Sequence, residues 1–178
     1  MVLDIIVYPN KILREKSKDV LSFDEKLHKL LDDMNETMLA KGGVGLAAIQ
    51  VAVPLNVLLI NLPVEDEDNP ENKDGIQKPE NLIEAINPKI IEKSGEYIFN
   101  EGCLSIPGYN AEVKRAQKVT VEYFDRDGNK QTMEAEDFLA VAWQHEMEHL
   151  SGHVFIENLS HLKRKKFEKE WKKRFKKR

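Results

Sequence analysis

The sequence predicts an α+β fold: one domain in which antiparallel or mixed sheets surround a central helix, with a further helix at the C-terminal end. The 178 residues are the length of one ordinary domain. The patterns follow one another as a helix, several strands and two helices, an order that favours segregated rather than alternating elements. Asp127-Gly128 stands between two strand patterns and predicts an antiparallel hairpin.

The N-terminal part predicts a strand and then the first long helix. Residues 1–10 alternate Val, Ile and Tyr in the manner of a strand. Ser22-Phe23-Asp24-Glu25 spells a capping box, and Gly42 with Gly43 ends the helical pattern that follows. Apolar residues at helical spacing predict a stripe that faces the core: Leu27, Leu30, Leu31, Met34 and Met38.

The middle of the chain predicts several strands and one long loop. Strand patterns cover residues 57–61, 84–91, 119–124 and 130–134. Residues 65–80 contain seven carboxylates, two prolines and one glycine. Because nothing apolar in that stretch anchors a partner, we interpret it as a solvated surface loop.

Two helices complete the predicted fold. The first covers residues 136–151 and ends at Gly152, with one face formed by Phe138, Val141, Ala142, His145 and His149. The second begins near Ser160. Residues 161–178 hold eleven Lys or Arg and two Glu, a charge of +9 against −13 for the rest of the chain. We therefore expect a body of residues 1–160 and a basic helical extension of the same domain, residues 161–178.

The composition predicts a globular protein without a membrane partner. Apolar residues make up 41% of the chain, and no run approaches the roughly 18 apolar residues that a membrane span requires. The first residues lack the basic and apolar regions of a secretory signal, so the expected location is the cytoplasm. A single cysteine forms no internal disulfide, and Cys103 therefore needs another explanation.

The first chemical motif is His145-Glu146-Met147-Glu148-His149. Histidines four residues apart lie above one another on a helix, so both imidazoles can reach one metal ion. Glu146 follows the first histidine and is the candidate base that acts on water. Histidines with an ordinary core or surface role are the alternative.

A catalytic metal site of this kind needs a third protein ligand and an open position for water. In the metalloprotease pattern a third histidine follows a glycine at fixed spacing, and Gly152 fits the glycine. The position required for the histidine is Phe155, and His153 is out of register. The metalloprotease interpretation therefore lacks its third ligand.

Cys103 is the remaining soft donor. Gly102 before it allows close backbone approach, and Pro107-Gly108 is expected to end the segment. A lone cysteine that only packs in the core is the alternative, and the need for a third ligand favours the metal.

The third segment is Gly43-Val44-Gly45-Leu46-Ala47-Ala48-Ile49-Gln50. Its alternation of glycine with apolar residues is typical of a backbone that lies against a ligand or another segment. Gln50 adds a side-chain amide donor. The segment lacks the Lys-Ser/Thr ending of a phosphate-binding loop.

These segments resemble the three signature motifs of the peptide deformylase family: Gly-Val-Gly-Leu-Ala-Ala-Ile-Gln, Glu-Gly-Cys-Leu-Ser and Gln-His-Glu-Met-Glu-His. They occur in the family's order and at similar separations, and the resemblance covers nearly the whole chain. The sequence departs from the family at Glu148, where Asp is usual. We expect the longer carboxylate to tune metal affinity.

The resemblance implies that residues 1–160 form a catalytic deformylase-like unit. Such an enzyme removes the formyl group from the N-terminal formyl-methionine of newly made bacterial polypeptides and releases formate. The implied metal ligands are Cys103, His145 and His149, and Glu146 moves protons. The side-chain amide of Gln50 and the backbone N–H of Leu104 are the implied oxyanion donors.

Further positions carry implied roles around the substrate. Those along the peptide backbone or the methionine pocket are Gly43, Val44, Gly45, Phe99, Gly102, Phe138, Val141 and Ala142. For the pocket residues, ordinary core packing remains an equal alternative. Glu101 and Arg115 match a structural ion pair of the family.

The resemblance also implies one divalent metal ion, Fe(II) in the cell, with Zn, Ni or Co as alternatives that ligand softness does not separate. In relatives a C-terminal helix attaches to the ribosome near the tunnel exit, and we expect the same of residues 161–178. Their aromatic residues at four-residue spacing, Phe167, Trp171 and Phe175, also fit a surface helix that only docks on the body. We expect a monomer.

Two other functions remain as alternatives. A zincin-like metallopeptidase would cleave internal peptide bonds, but the third histidine is missing. A non-catalytic ribosome-associated factor would use the metal only to hold its fold.

Overall fold

The computed structural model describes residues 1–176, apart from the side chain of Phe175. Within that range the helices are α1 (Glu25–Ala40), α2 (Asp137–Leu150) and α3 (His161–Lys176), and the strands are β1 (Gly45–Ala47), β2 (Val57–Ile60), β3 (Ile83–Ser94), β4 (Tyr97–Cys103), β5 (Ile106–Arg115), β6 (Lys118–Phe124) and β7 (Lys130–Glu136). Short 3₁₀ helices cover Lys11–Arg14, Ala48–Val51, Pro79–Asn81 and Phe155–Asn158. None of the described helices is long and apolar enough to cross a membrane.

The strands form two antiparallel sheets within residues 1–176. The larger has the order β1-β2-β3-β6-β7, and the smaller pairs β4 with β5. Register shifts interrupt β3 against β6 and again between Gly102 and Cys103 in β4. The α+β class predicted from the sequence is confirmed.

Helices cover both faces of the larger sheet. Because successive side chains of a strand point to opposite faces, Leu58 and Ile60 of β2 pack in one cluster with Trp143 of α2. Val57 and Leu59 pack in another with Met34 and Met38 of α1, among other residues. The helix that carries the histidine motif is therefore held inside the molecule.

A third apolar cluster joins α3 to the smaller sheet. It contains Ile106 and Val113 of β5, Phe155 of a 3₁₀ helix, and Phe167 and Trp171 of α3. Both α3 aromatics are buried. The side chain of Phe175, the third aromatic of the predicted stripe, lies outside the described part of the structure.

Several predicted boundaries are confirmed and others shift. The hairpin at Asp127-Gly128 is present, and α2 differs from its prediction by one residue at each end. The first helix begins two residues after the position that the Ser22 capping box predicts. Asp24 is the N-cap because its side chain accepts a hydrogen bond from the backbone N–H of Leu27 at 3.0 Å.

Two predictions about local structure are wrong. Residues 1–7 form no strand: Ile6 and Tyr8 donate single backbone hydrogen bonds to Gln50 and Ser105 instead. Pro107-Gly108 does not end the segment after Cys103, because both residues lie inside β5. Pro107 is the second residue of that strand, where a missing N–H is tolerated.

Candidate active site

Helix α2 positions the histidine motif at the centre of the molecule. The side chains of His145, Glu146 and His149 are buried. The two imidazole centroids lie 5.1 Å apart, as residues one helical turn apart allow. The structure thus places both histidines next to one another on α2.

Cys103 reaches the same point from the end of β4. Its Sγ lies 3.4 Å from His149 Nε2, and the ligand atoms of Cys103, His145 and His149 all lie within 4.8 Å of one another. Two imidazoles and one soft sulfur donor make a suitable three-ligand set for a divalent transition metal, with a position left for water. The residues therefore fit the predicted metal.

The protonation of the histidines reflects their burial and neighbours. Burial and the nearby charges of His145 and Arg115 hold the pKa of His149 well below its ordinary value, so this ring is neutral, as a ligand must be. Burial also lowers the pKa of His145, but its interactions with Cys103 and Glu101 outweigh burial and raise it well above its ordinary value. His145 therefore faces a negative environment, which a bound cation would balance.

A buried ion network orients His145. Glu101 Oε1 lies 2.8 Å from His145 Nδ1, and Arg115 donates to Glu101 at 2.6 and 2.9 Å. A hydrogen bond at Nδ1 leaves Nε2 free for a metal. Because the Glu101 and Arg115 side chains are 3% and 4% exposed, the predicted ion pair is a deeply buried one.

Glu148 extends this network toward the surface. Its carboxylate accepts hydrogen bonds from Arg115 at 2.6 and 3.3 Å and from the side-chain amide of Asn158 at 3.1 and 2.9 Å. Glu148 thus connects α2 to the 3₁₀ helix that follows it. Asn158 was not singled out from the sequence because it belongs to no motif.

Glu146 has the surroundings of a proton-transfer group. Burial raises the pKa of its carboxyl to about 7. Its Oε2 is buried and has no hydrogen-bond partner among the described residues. A Cβ on Gly45 would lie 2.6 Å from Oε1, so a larger residue at this position would displace the Glu146 side chain.

Gln50 points its amide toward the metal donors. Its Oε1 accepts from the backbone N–H of Ala47 at 2.9 Å, which fixes the orientation of the amide. Its Nε2 lies 3.6 Å from Cys103 Sγ and donates to Ser105 Oγ at 3.1 Å. Leu104 occupies the turn between β4 and β5.

An open cleft of about 380 Å³ adjoins this group. The predicted site residues that line it are Gly43, Val44, Gly45, Gln50, Gly102, Cys103, Leu104, His145 and Glu146. Its other lining residues include residues 106–110 of β5. His149 is fully buried behind the cleft.

The four residues predicted to form the methionine pocket are not among those that line this cleft. Phe99 and Phe138 stack with their ring centroids 4.6 Å apart. Val141 and Ala142 are buried in α2. His153, the residue out of register, is exposed and pairs with Glu157 at 2.7 Å.

Gln77 is a site residue that sequence reasoning missed. Its side-chain amide donates to the backbone carbonyls of Gly43 at 2.9 Å and Asn61 at 2.6 Å. It thereby fixes the backbone of a cleft-lining residue from within the acidic loop. The solvated-loop interpretation of residues 65–80 is incomplete for this reason, and no local pattern marks Gln77.

The ligand atoms of Cys103, His145 and His149 converge beside the buried carboxylate of Glu146 and an open cleft. This arrangement is typical of a metal-dependent hydrolase, here built on an α+β fold. Residues 2–165 match the family Polypeptide deformylase. The chain belongs to the peptide deformylase family.

Individual relatives agree over almost the whole chain. The peptide deformylase of Helicobacter acinonychis (strain Sheeba) is 56% identical over 171 residues, which cover 96% of this chain and 93% of the relative. The crystal structure of peptide deformylase from Ehrlichia chaffeensis matches with a TM-score of 0.87 and 40% identity, over 99% of this chain and 98% of that one. A Met-Ala-Ser bound structure of class I type b peptide deformylase from Acinetobacter baumannii matches with a TM-score of 0.79 and 31% identity, over 89% and 99%.

The chain is therefore a metal-dependent hydrolase of a family that removes the N-formyl group from nascent polypeptides. Neither the zincin-like peptidase nor the non-catalytic factor is favoured.

Proposed function

We propose that Cys103, His145 and His149 hold one divalent metal ion and that Glu146 moves protons during hydrolysis of the formyl amide. The observation that carries the proposal is the approach of three ligand atoms to within 4.8 Å of one another. A divalent ion held there acts as a Lewis acid, which lowers the pKa of water and polarises a carbonyl oxygen. The protein residues supply proton transfer, orientation and shape.

Glu146 is the proposed general base and then the general acid. A carboxyl whose pKa is raised to about 7 exchanges a proton readily near neutral pH. It takes a proton from the attacking water and later gives a proton to the departing amine. The reaction consumes one water molecule: its hydroxyl group becomes part of the released formate, and its other proton goes to the amine.

Gln50 and Leu104 are the proposed donors to the oxyanion. The Gln50 amide is oriented by Ala47, and its Nε2 lies 3.6 Å from Cys103 Sγ. A donor that is fixed before the reaction stabilises developing negative charge without the cost of reorientation. The backbone N–H of Leu104 follows Cys103 directly and is the second donor.

The proposed substrate is an N-formyl-methionyl peptide. Gly43, Val44, Gly45 and Gly102 line the cleft with little side-chain bulk, which suits an extended peptide that adds as a strand. The Met-Ala-Ser bound by the Acinetobacter relative supports a peptide of this kind. On the basis of the family resemblance, we assign the methionine side chain to Phe99, Phe138, Val141 and Ala142, which lie beyond the residues that line the cleft.

Fe(II) is the proposed ion in the cell, and Zn, Ni or Co are expected to bind in its place. The donors suit all four ions, so the proposal of iron rests on the family. Air oxidation is then expected to inactivate the iron form, and Cys103, which is only partly buried, is open to oxidation as well. Full activity of the iron form after prolonged exposure to air would contradict the iron assignment.

Residues 161–178 are the proposed ribosome contact of a cytoplasmic monomer. The exposed lysines of α3, such as Lys165, Lys166 and Lys169, support salt-sensitive contacts with ribosomal RNA and protein near the tunnel exit. We treat residues 1–160 as the catalytic body and residues 161–178 as an extension of it. Unchanged ribosome binding after deletion of residues 161–178 would contradict the contact.

A substrate comparison tests the proposed chemistry. The metal-loaded protein is given formyl-Met-Ala-Ser, unformylated Met-Ala-Ser and a longer peptide with internal bonds. We expect formate from the first and no cleavage of internal bonds in any. His149→Ala should lose the metal and the activity together, whereas a variant that keeps full activity without metal would contradict the ligand assignment.

A further inference from the structure

The cleft has two walls with different support. The proximal wall, residues 42–45, precedes and enters β1 of the larger sheet. The distal wall, residues 107–110, belongs to β5 of the two-stranded sheet. Gly108 adopts a φ of +76° there, a conformation that few residues other than glycine adopt. Within residues 1–176, β4 is the only strand that pairs with the distal wall, and α3 packs against the same strand, β5.

Arg174 of α3 contacts the distal wall. Its guanidinium donates to the backbone carbonyls of Pro107 at 3.1 Å and Gly108 at 3.3 Å. A Cβ built on Gly108 would lie 3.1 Å from Arg174 Nη1, which shows how closely the arginine follows the wall. The guanidinium carbon lies 5.6 Å from the centre of the Trp171 ring, so an aromatic neighbour holds the arginine in place.

The buried face of α3 reaches the same wall and the site behind it. The rings of Tyr109 and Phe167 lie 4.5 Å apart. Trp171 Nε1 donates to the Tyr8 carbonyl at 3.1 Å, and the Tyr8 N–H donates to Ser105. Ser105 Oγ in turn accepts from the Gln50 amide.

We propose that Arg174 is a positioning residue that sets the distal wall of the cleft, and with it the affinity for substrate residues that follow the formyl-methionine. The inference rests on the proposed use of the cleft by a peptide. The metal donors and Glu146 have other supports, chiefly Glu101 and Arg115, so the chemistry at the formyl group does not depend on Arg174. A change at Arg174 should therefore alter KM for long substrates and leave kcat unchanged.

The test compares two substrates in two charge-matched variants. Arg174→Ala removes the bonds to the wall, and Lys173→Ala removes the same charge from an exposed position on the same helix. With formyl-Met-Ala-Ser, Arg174→Ala should raise KM about three- to tenfold, the effect of losing hydrogen bonds that are exposed to water, with kcat unchanged. With formyl-methionine amide, which has no residue beyond methionine, both variants should match the wild type.

Arg174→Lys supplies a second measurement. An ammonium lacks the planar fork of a guanidinium and cannot hold two carbonyls in the same way, so its KM should fall between those of wild type and Arg174→Ala. An equal change in KM for both substrates, or an unchanged KM in Arg174→Ala, would overturn the role of Arg174. Failure of the metal-loaded wild type to release formate from either substrate would instead overturn the proposed function on which the inference rests.

Discussion

The two ends of the cleft are built on different principles. At the end that contains the proposed metal ligands, called the metal end below, charged side chains contact one another: Glu101 contacts both His145 and Arg115, and Glu148 joins the network from α2. At the other end, which is proposed to bind the peptide and is called the peptide end below, side chains from distant segments donate hydrogen bonds to backbone carbonyls. Gln77 donates to Gly43 on the proximal wall, and Arg174 donates to Pro107 and Gly108 on the distal wall.

This difference between the two ends suggests that one supports the chemical step and the other supports recognition of the peptide. A buried charge that loses its partner has no water to replace it, so damage at the metal end should abolish activity or unfold the protein. A carbonyl at a solvated cleft can bond to water instead, so damage at the peptide end should cost only affinity. Variants at each end test this distinction.

The largest effect is expected from Glu146→Gln. The amide keeps the size of the side chain but cannot accept a proton from water, so kcat/KM should fall by about 10² to 10⁴-fold. Formate release measures the loss, and metal analysis of the same sample serves as the control. Activity within tenfold of wild type in a fully loaded variant would remove Glu146 from its proposed role.

The next largest effect is on stability. Arg115→Met leaves the buried Glu101 carboxylate without its main partner and should lower the free energy of unfolding by about 3–5 kcal/mol. Arg126 is the matched control, because it also bridges two carboxylates, Glu84 and Asp32, but is 32% exposed. Arg126→Met should cost about 1 kcal/mol or less, and urea unfolding compares the two. Equal losses in the free energy of unfolding would mean that burial of the Glu101–Arg115 pair does not increase its contribution to stability.

A smaller effect is expected at the proximal wall. Gln77→Ala removes the donor to Gly43 and should raise KM for formyl-Met-Ala-Ser about fivefold, equivalent to about 1 kcal/mol, with kcat unchanged. Gln131→Ala is the control, since that amide donates an exposed hydrogen bond to Asp125, away from the cleft. A fall in kcat without a change in KM would contradict the separation of recognition from chemistry.

The smallest effect is expected from Glu148→Asp. Aspartate is the usual residue of the family here, but its shorter side chain should not reach Arg115 and Asn158 together. Metal affinity, measured by competition with a chelator, should fall by less than about threefold, below the range for complete loss of a residue that orients a ligand, because the carboxylate itself is kept. Asn158→Ala removes one of the same contacts from the other side and should give a change of similar size. A large loss in one variant and none in the other would contradict a shared role.

The metal end could be predicted from sequence because its residues lie in short patterns. Helical spacing places His145 and His149 together, and the absence of a third histidine directs attention to Cys103. The α1 and α2 helices and the hairpin at Asp127-Gly128 follow from local periodicity and turn residues in the same way.

The peptide end could not be predicted because its supports have no local pattern. Gln77 lies 34 residues from Gly43, and Arg174 lies 66 residues from Gly108. Each binds a backbone carbonyl, which any residue presents. The smaller sheet was missed for a related reason: the register shift after Gly102 and the Pro107-Gly108 pair hide the alternation by which strands are recognised.

The most direct test is formate release by anaerobically purified protein, with the metal content of the same sample determined in parallel. The rate of formate release from formyl-Met-Ala-Ser should rise in proportion to metal bound per chain. It should fall to background on chelation and return when Fe(II) is restored without air. An undiminished rate after complete removal of the metal, or no formate from fully loaded protein, would contradict the assignment of a metal-dependent deformylase centred on Cys103, His145 and His149.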